Sequence, residues 1–429
     1  MRDLTGITTS PLDMFGASLM TKDRLADLRA GLIGEGVMID GPFGPKPLVY
    51  ADYTASGRAL MQVERFVMEQ VLPFYANSHT EASFCGGTMT RLRAAARATI
   101  AQACGAGPDH AVIFCGAGAT AGINRLVALL GADDLASPVR LILGPYEHHS
   151  NILPWRESGA EVVTIPEAVT GGPDRDALAQ ALRDAPGRVI CAFSAASNIT
   201  GIVADVEAIT RQVKAAGAAM VWDYAGGGPY LPIQMTPAPD APIDAIVTSP
   251  HKFTGGPAAS GVMILRRDAV STRTPTWPGG GTVRFVSPGS HDYSPNLEAR
   301  EEAGTPDVIG DIRAALAFIV KDVIGTDTIT ARNRVLIAKA EARWRHHPRI
   351  ELLGPDLPDR LPILSFRIRD GQGGFIHQQL VTRMLSDHYG IQARGGCACA
   401  GPYVHDLLGI DPAESDALRQ AILSGQEVA

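Results

Sequence analysis

The chain has 429 residues, 45% of them hydrophobic, and a formal net charge of -7. That composition supplies a large core, enough for two domains, and excludes a disordered chain; the scattered basic residues lack the clustered footprint of a nucleic-acid binder. No apolar run is long enough to cross a bilayer, the N-terminal MRDLTGITTSPLDMFG has no apolar signal region, and six cysteines in a chain of this size make no disulfide framework. The expectation is a soluble, cytoplasmic protein with a small-molecule partner.

In chain order, residues 1–30 read as a leading segment and residues 31–285 as a large α/β domain. The runs AVIFCG, RLILG, EVVTIP, RVICAFS, AAMVWD, DAIVTS and SGVMILRR alternate with helical stretches such as AGINRLVALL and VEAITRQVKAAG. This predicts a mainly parallel sheet covered on both faces, with ligands at the carboxyl ends of its strands. TPTWPGGGTVRFVSPGSHDYSPN, rich in Gly, Pro and Ser, breaks the rhythm and marks a domain boundary or a long functional loop. The helical GDIRAALAFIVKDVIG, the strand ILSFRIRD and the helix FIHQQLVTRMLSDHYG then predict a smaller α+β domain over residues 286–429.

Five segments carry candidate chemistry. In VIFCGAGATAGINRL, small residues Gly116, Gly118, Ala119 and Thr120 lead into a helix, so backbone amides and the helix dipole can cradle a phosphate; an ordinary strand-to-helix turn also uses glycine. In YEHHSNILPW, His148 and His149 can stack on a flat cofactor or move protons, whereas adjacent histidines lack the helical spacing of a metal pair. No metal site is expected. Asp223 ends the apolar run of AAMVWDYAGGG, where a carboxylate can hold a protonated ring nitrogen or simply cap a turn.

Lys252 follows the strand in TSPHKFTGG. Desolvation lowers a lysine toward a nucleophilic amine that can form a Schiff base, although a surface lysine laying its stem over apolar residues has the same local sequence. In QARGGCACAGPY, Arg394 offers a fork for a carboxylate and Cys399 a thiolate. A zinc knuckle would need a second ligand pair beside Cys397 and Cys399, and a structural pair is the plainer alternative.

The ordered set GATAGIN, YEHHSNILPW, SNITG, DYAGG, SPHK, GGGT, REEAGTP and RGGCAC resembles the class V, fold-type I pyridoxal-phosphate enzymes, in the cysteine desulfurase and selenocysteine lyase branch. The resemblance runs from about residue 48 to 405. It implies a fold-type I α/β architecture, pyridoxal 5'-phosphate, and Lys252 as the lysine that carries it. It further implies that Ser249 and His251 hold the cofactor phosphate with Ala119 and Thr120, that His148 stacks on the ring and that Asp223 binds the ring nitrogen. Asn198 would lie near the cofactor and the substrate carboxylate, whose main clamp is Arg394. Gly281 and Thr305 would complete the phosphate site of the other subunit in a homodimer.

By the same resemblance Arg394, Gly396 and Cys399 match Arg-x-Gly-x-x-Cys. Cys399 becomes the persulfide-forming nucleophile for L-cysteine or L-selenocysteine, with a sulfur-acceptor protein as a further partner, and Cys397 a relay, a reversible disulfide partner or a bystander. Three departures stand out: Gly226 where desulfurases carry a glutamine, Ala121 where an acidic residue is common, and a chain that stops at SGQEVA soon after the cysteine loop. Other class V activities on amino acids, such as epimerase, aminotransferase or β-lyase, are the alternative, with a non-catalytic sulfur carrier behind them.

Overall fold

Each of the seven apolar runs becomes a strand of one sheet: β1 (His110–Gly116), β2 (Val139–Leu143), β3 (Glu161–Thr164), β4 (Arg188–Ser194), β5 (Ala219–Asp223), β6 (Ala245–Thr248) and β7 (Gly261–Arg266). The computed structural model describes residues 10–78, 81–357, 360–396 and 398–425. The strand order is β1-β7-β6-β5-β4-β2-β3. β7 runs antiparallel to both of its neighbours, and the remaining pairs are parallel. The mainly parallel sheet expected from the near-continuous apolar runs is therefore present.

Alternate residues of the strands feed two cores. Trp222, Phe193 and Ile246 face one side, where they pack with α1 (Phe84–Ala103) and α3 (Val308–Ile324). Val221, Ile190 and Val247 face the other, against α2 (Gly118–Leu129) and Trp155. The indole of Trp222 is fully buried, and its N–H donates to Thr210 Oγ1 at 2.9 Å, so the polar end of this large side chain stays satisfied. α3 lies beyond the Gly- and Pro-rich stretch, yet nearly all of its apolar residues belong to the core it shares with α1.

The chain after α3 builds a smaller layer. Ile350–Leu352 pairs antiparallel with Phe366–Ile368, and α4 (Gln378–Tyr389) ends on Gly390 in the left-handed conformation. The two-residue strand Ile391–Gln392 then pairs, in parallel, with Val49–Tyr50 near the start of the chain. That pairing draws the late Arg394 loop to the early segment Ala51–Gly57. α5 (Gly401–Leu408) follows, with Ala400 and Tyr403 packed on Tyr146, Ile199 and Ile202 of the sheet side. No helix among the described residues is long and apolar enough to cross a membrane.

Candidate active site

The carboxyl ends of β1, β2, β4, β5 and β6 open onto a cavity of about 760 Å³. Ala119, Thr120, His148, Asn198, Asp223, Ser249, His251, Lys252 and Arg394 all line it. Residues separated by up to 275 positions are thus gathered where a doubly wound sheet puts its ligands. The smaller layer supplies a further wall, in which apolar Ile363, Phe366, Phe375 and Leu385 are interleaved with polar Arg367, His377, Gln378 and Thr382. That wall gave no signal in the sequence, because its residues are ordinary positions of a strand and a helix.

The cradle is built at the start of α2. Gly118 sits at φ +64°, and a Cβ there would lie 3.0 Å from Ser249 Oγ and 3.1 Å from His251 Cε1. The Ala119 amide donates to Ser249 Oγ at 2.9 Å, and Thr120 Oγ1 lies 2.7 Å from Ser150 Oγ. A turn with little room for side chains, hydroxyls at its rim and a twelve-residue helix behind it fits an anionic group such as a phosphate.

Lys252 ends a short turn, Pro250–Lys252, directly after β6. As a residue it is half-buried, but its ammonium end is crowded by protein, and burial lowers its pKa against the opposing pull of Asp223. Asp223 is buried at the end of β5, and burial raises its carboxyl while the Ala225 amide, donating to Oδ1 at 2.7 Å, and Lys252 hold it down. A poised amine and a buried carboxylate therefore share one cavity, the charges a planar, cationic ring with a reactive carbonyl would use.

His148 caps the turn His149–Asn151. Burial, assisted by the positive charges of Lys252 and Arg394, lowers its pKa to about 4, so the ring is neutral near pH 7. Its Nδ1 accepts the Ser150 amide at 3.1 Å, which puts the proton of the neutral ring on Nε2. Behind it, Glu147 is buried and accepts from Ser194 N at 2.8 Å, Ser194 Oγ at 2.6 Å and Asn151 Nδ2 at 2.6 Å. Burial pushes this carboxyl up to about 7. Glu147 escaped the sequence reading because a Glu beside two histidines in a loop reads as solvent-exposed.

Cys399 is exposed and stands outside the cavity lining, while its neighbours Gly396 and Ala398 line the rim. Ala398 at φ +45° and Cys399 at φ +59° are consecutive non-glycine residues in the left-handed region, a conformation costing about 1–2 kcal/mol per residue. Cys397 lies outside the described residues. Gly281 and Thr305 are exposed and do not line the cavity of this chain. Their segments are tied together: Gly304 N donates to Gly280 O at 2.8 Å, and the buried Glu301 accepts from the Thr276 hydroxyl.

The family is decided by a match over most of the length: residues 49–419 fit the model of aminotransferase class-V. The chain belongs to that family. It is 30% identical to a cysteine desulfurase of Enterobacter sp. (strain 638), over 83% of this chain and 85% of that protein. A cysteine desulfurase of Serratia proteamaculans (strain 568) is 29% identical over the same shares. Among solved structures, the apo structure of a cysteine desulfurase from Thermococcus onnurineus NA1 superposes with a TM-score of 0.75 at 23% identity, over 90% of this chain and 91% of that one. This likeness shows the fold-type I architecture. Within the class-V frame, Gly226 lines the cavity, and a Cβ at this position would meet only ordinary contacts at 3.6 Å and beyond. Backbone crowding does not demand glycine there.

Proposed function

We propose that the protein is a pyridoxal 5'-phosphate-dependent enzyme that removes sulfur or selenium from L-cysteine or L-selenocysteine, leaving L-alanine. The observation that carries the reading is the convergence of Lys252, Asp223 and the Ala119–Ser249 cradle on one cavity, with the Cys399 turn at its rim. The desulfurase names of the relatives point the same way.

Lys252 would carry the cofactor, Ala119, Thr120, Ser249 and His251 its phosphate, His148 its ring face and Asp223 its ring nitrogen. When bound, pyridoxal phosphate acts as an electron sink for the substrate Cα. Lys252, its pKa lowered by burial, takes and returns the Cα proton. Arg394 and Asn198 bind the substrate carboxylate, the arginine through a charge-assisted fork. The Cys399 thiolate attacks the substrate sulfur: the S–S bond forms as the Cβ–S bond breaks, and the electron pair of the broken bond stays on the substrate carbon, which is then protonated. The enzyme is left with a persulfide, open to solvent and to a sulfur-acceptor protein because Cys399 is exposed.

This reading expects a soluble cytoplasmic homodimer in which the exposed Gly281 and Thr305 of one copy complete the phosphate site of the other. The test is to incubate the purified protein with L-cysteine and a reductant, measuring alanine and sulfide for the wild type and Cys399→Ser. Equal amounts of both, lost in the variant, are expected. A cofactor-loaded wild type that yields neither product overturns the reading. Gly226, which leaves the position of the desulfurase glutamine without an amide, favours an epimerase, aminotransferase or β-lyase activity in that event.

A further inference from the structure

The turn that carries Cys399 is held by the large sheet's loops rather than by its own neighbours. The His149 amide donates to the Cys399 carbonyl at 2.7 Å, and the Gly401 amide donates to His149 Nε2 at 3.0 Å. Asn198 Nδ2 donates to the Ala398 carbonyl at 2.8 Å. One histidine therefore grips the chain at Cys399 and again two residues on at Gly401, while Asn198 holds Ala398. The approach is close: a Cβ on Gly401 would lie 3.1 Å from His149 Nε2, so a larger residue would push the ring or the turn aside.

His149 is itself fixed. It opens the turn His149–Asn151, whose cap is His148, and Ile152 N donates back to the His149 carbonyl at 3.1 Å. Burial lowers the pKa of its ring, which suits a neutral imidazole accepting at Nε2. The same dipeptide thus presents one ring to the cavity and the other to the cysteine turn, so that the two are set relative to each other by a single peptide unit.

We propose that His149 is the positioning residue that seats the Cys399 turn at the rim of the cavity, keeping the thiol in reach of a substrate bound beside His148 and Lys252. The inference rests on the assignment of Cys399 as the sulfur-accepting nucleophile. Left-handed non-glycine residues persist only where surrounding bonds over-determine them, and His149 supplies two of the three bonds named above. Without the imidazole, the Gly401 amide loses its acceptor and only the bonds to the Ala398 and Cys399 carbonyls remain, so the turn is held at one end alone and the thiol shifts.

The test compares cofactor-loaded wild type, His149→Ala and His149→Gln, the last retaining an acceptor of similar reach. Two quantities are read: the rate of iodoacetamide modification at Cys399, mapped by peptide mass spectrometry, and the steady-state kinetics of alanine formation. His149→Ala is expected to change the modification rate severalfold and to lower kcat by about 100-fold, the effect of a misplacement near 1 Å, with KM and cofactor absorbance unchanged. His149→Gln should recover most of both. If His149→Ala fails to fold, Gly401→Ala strains the same bond from the other partner and is read in the same way. Unchanged modification rate and kcat in the folded variant overturn the proposal. If instead Cys399→Ser forms alanine and sulfide at the wild-type rate, the nucleophile assignment fails, whereas the modification rates still report on the seat.

Discussion

Asp52 Oδ2 lies 3.4 Å from both Nε and Nη2 of Arg394, each residue standing two positions beyond the paired strand residues Tyr50 and Gln392. The register of a two-residue parallel ladder therefore delivers a protein carboxylate to the very fork proposed to bind the substrate's carboxylate. Both residues line the cavity. Arg394 keeps 45% of its side chain exposed, so the pair is solvent-screened and worth less than about 1 kcal/mol.

Asp52 then competes weakly with substrate. Asp52→Asn is expected to lower KM for the amino acid by up to about fivefold, the equivalent of 1 kcal/mol, with kcat within about twofold. Arg394→Ala, in contrast, should raise KM and leave the cofactor bound. Steady-state kinetics of the two variants check this; a higher KM in Asp52→Asn would show that Asp52 assists binding.

Lys252→Ala should remove the visible absorbance of lysine-bound cofactor and abolish turnover while far-ultraviolet circular dichroism stays native. Thermal stability of the cofactor-free variant should not fall, because a crowded ammonium whose pKa burial depresses is costly to keep. Absorbance surviving dialysis would transfer the cofactor-carrying role elsewhere.

Glu147 gives the fold a pH dependence of defined sign. Its folded pKa is raised from 4.5 to about 7, so between these values the native state holds a proton that the unfolded chain has released, and stability falls as pH rises. Glu147→Gln cannot titrate. It should be about 1–3 kcal/mol less stable than wild type at pH 5, where the amide mismatches one donor. That gap should close by pH 8, since the wild type loses on the order of 3 kcal/mol across the interval. Urea unfolding at both pH values is the measurement, and parallel losses in the two proteins would contradict it.

Glu302, in the EAGTP segment, accepts from both Arg97 Nη1 at 2.8 Å and Nη2 at 2.9 Å, from Arg93 and from Phe114 N at 2.8 Å. Arg93 also reaches the buried Asp311 of α3. Glu302→Ala strips a partly buried network of its centre and should cost about 3–5 kcal/mol. Urea unfolding should show a loss of that size in unfolding free energy, read as a lower midpoint at an unchanged slope, with the loss in cofactor retention secondary to it.

The sheet was readable because parallel strands buried on both faces leave continuous apolar runs, and all seven runs from AVIFCG to SGVMILRR became strands. The residues that meet at the strand ends were readable as an ordered set, and Lys252 and Asp223 do share a cavity. Asp52 and His149 were not singled out for the roles geometry gives them. Asp52 matters through a two-residue ladder whose partner is about 340 positions away, and His149 through a turn whose strain shows only in φ values. Long-range pairing of short segments leaves no periodicity to detect. Nor did the Gly- and Pro-rich stretch before α3 reveal that this helix returns to the core of α1.

The lysine turn is roofed by residues from the chain's beginning and closed by residues near its end. Gly57 N donates to the His251 carbonyl at 3.0 Å, and a Cβ on Gly57 would lie 1.9 Å from the Phe253 carbonyl oxygen. The strand that brings Arg394 up to this segment is synthesised more than 120 residues after β7. On a ribosome the sheet can therefore be complete while the pocket still lacks a wall, and closing so long a loop is among the slow steps of folding. Retention of a ligand in the finished cavity therefore depends on the docking of Ile391–Gln392 against Val49–Tyr50, the pairing that closes its last wall.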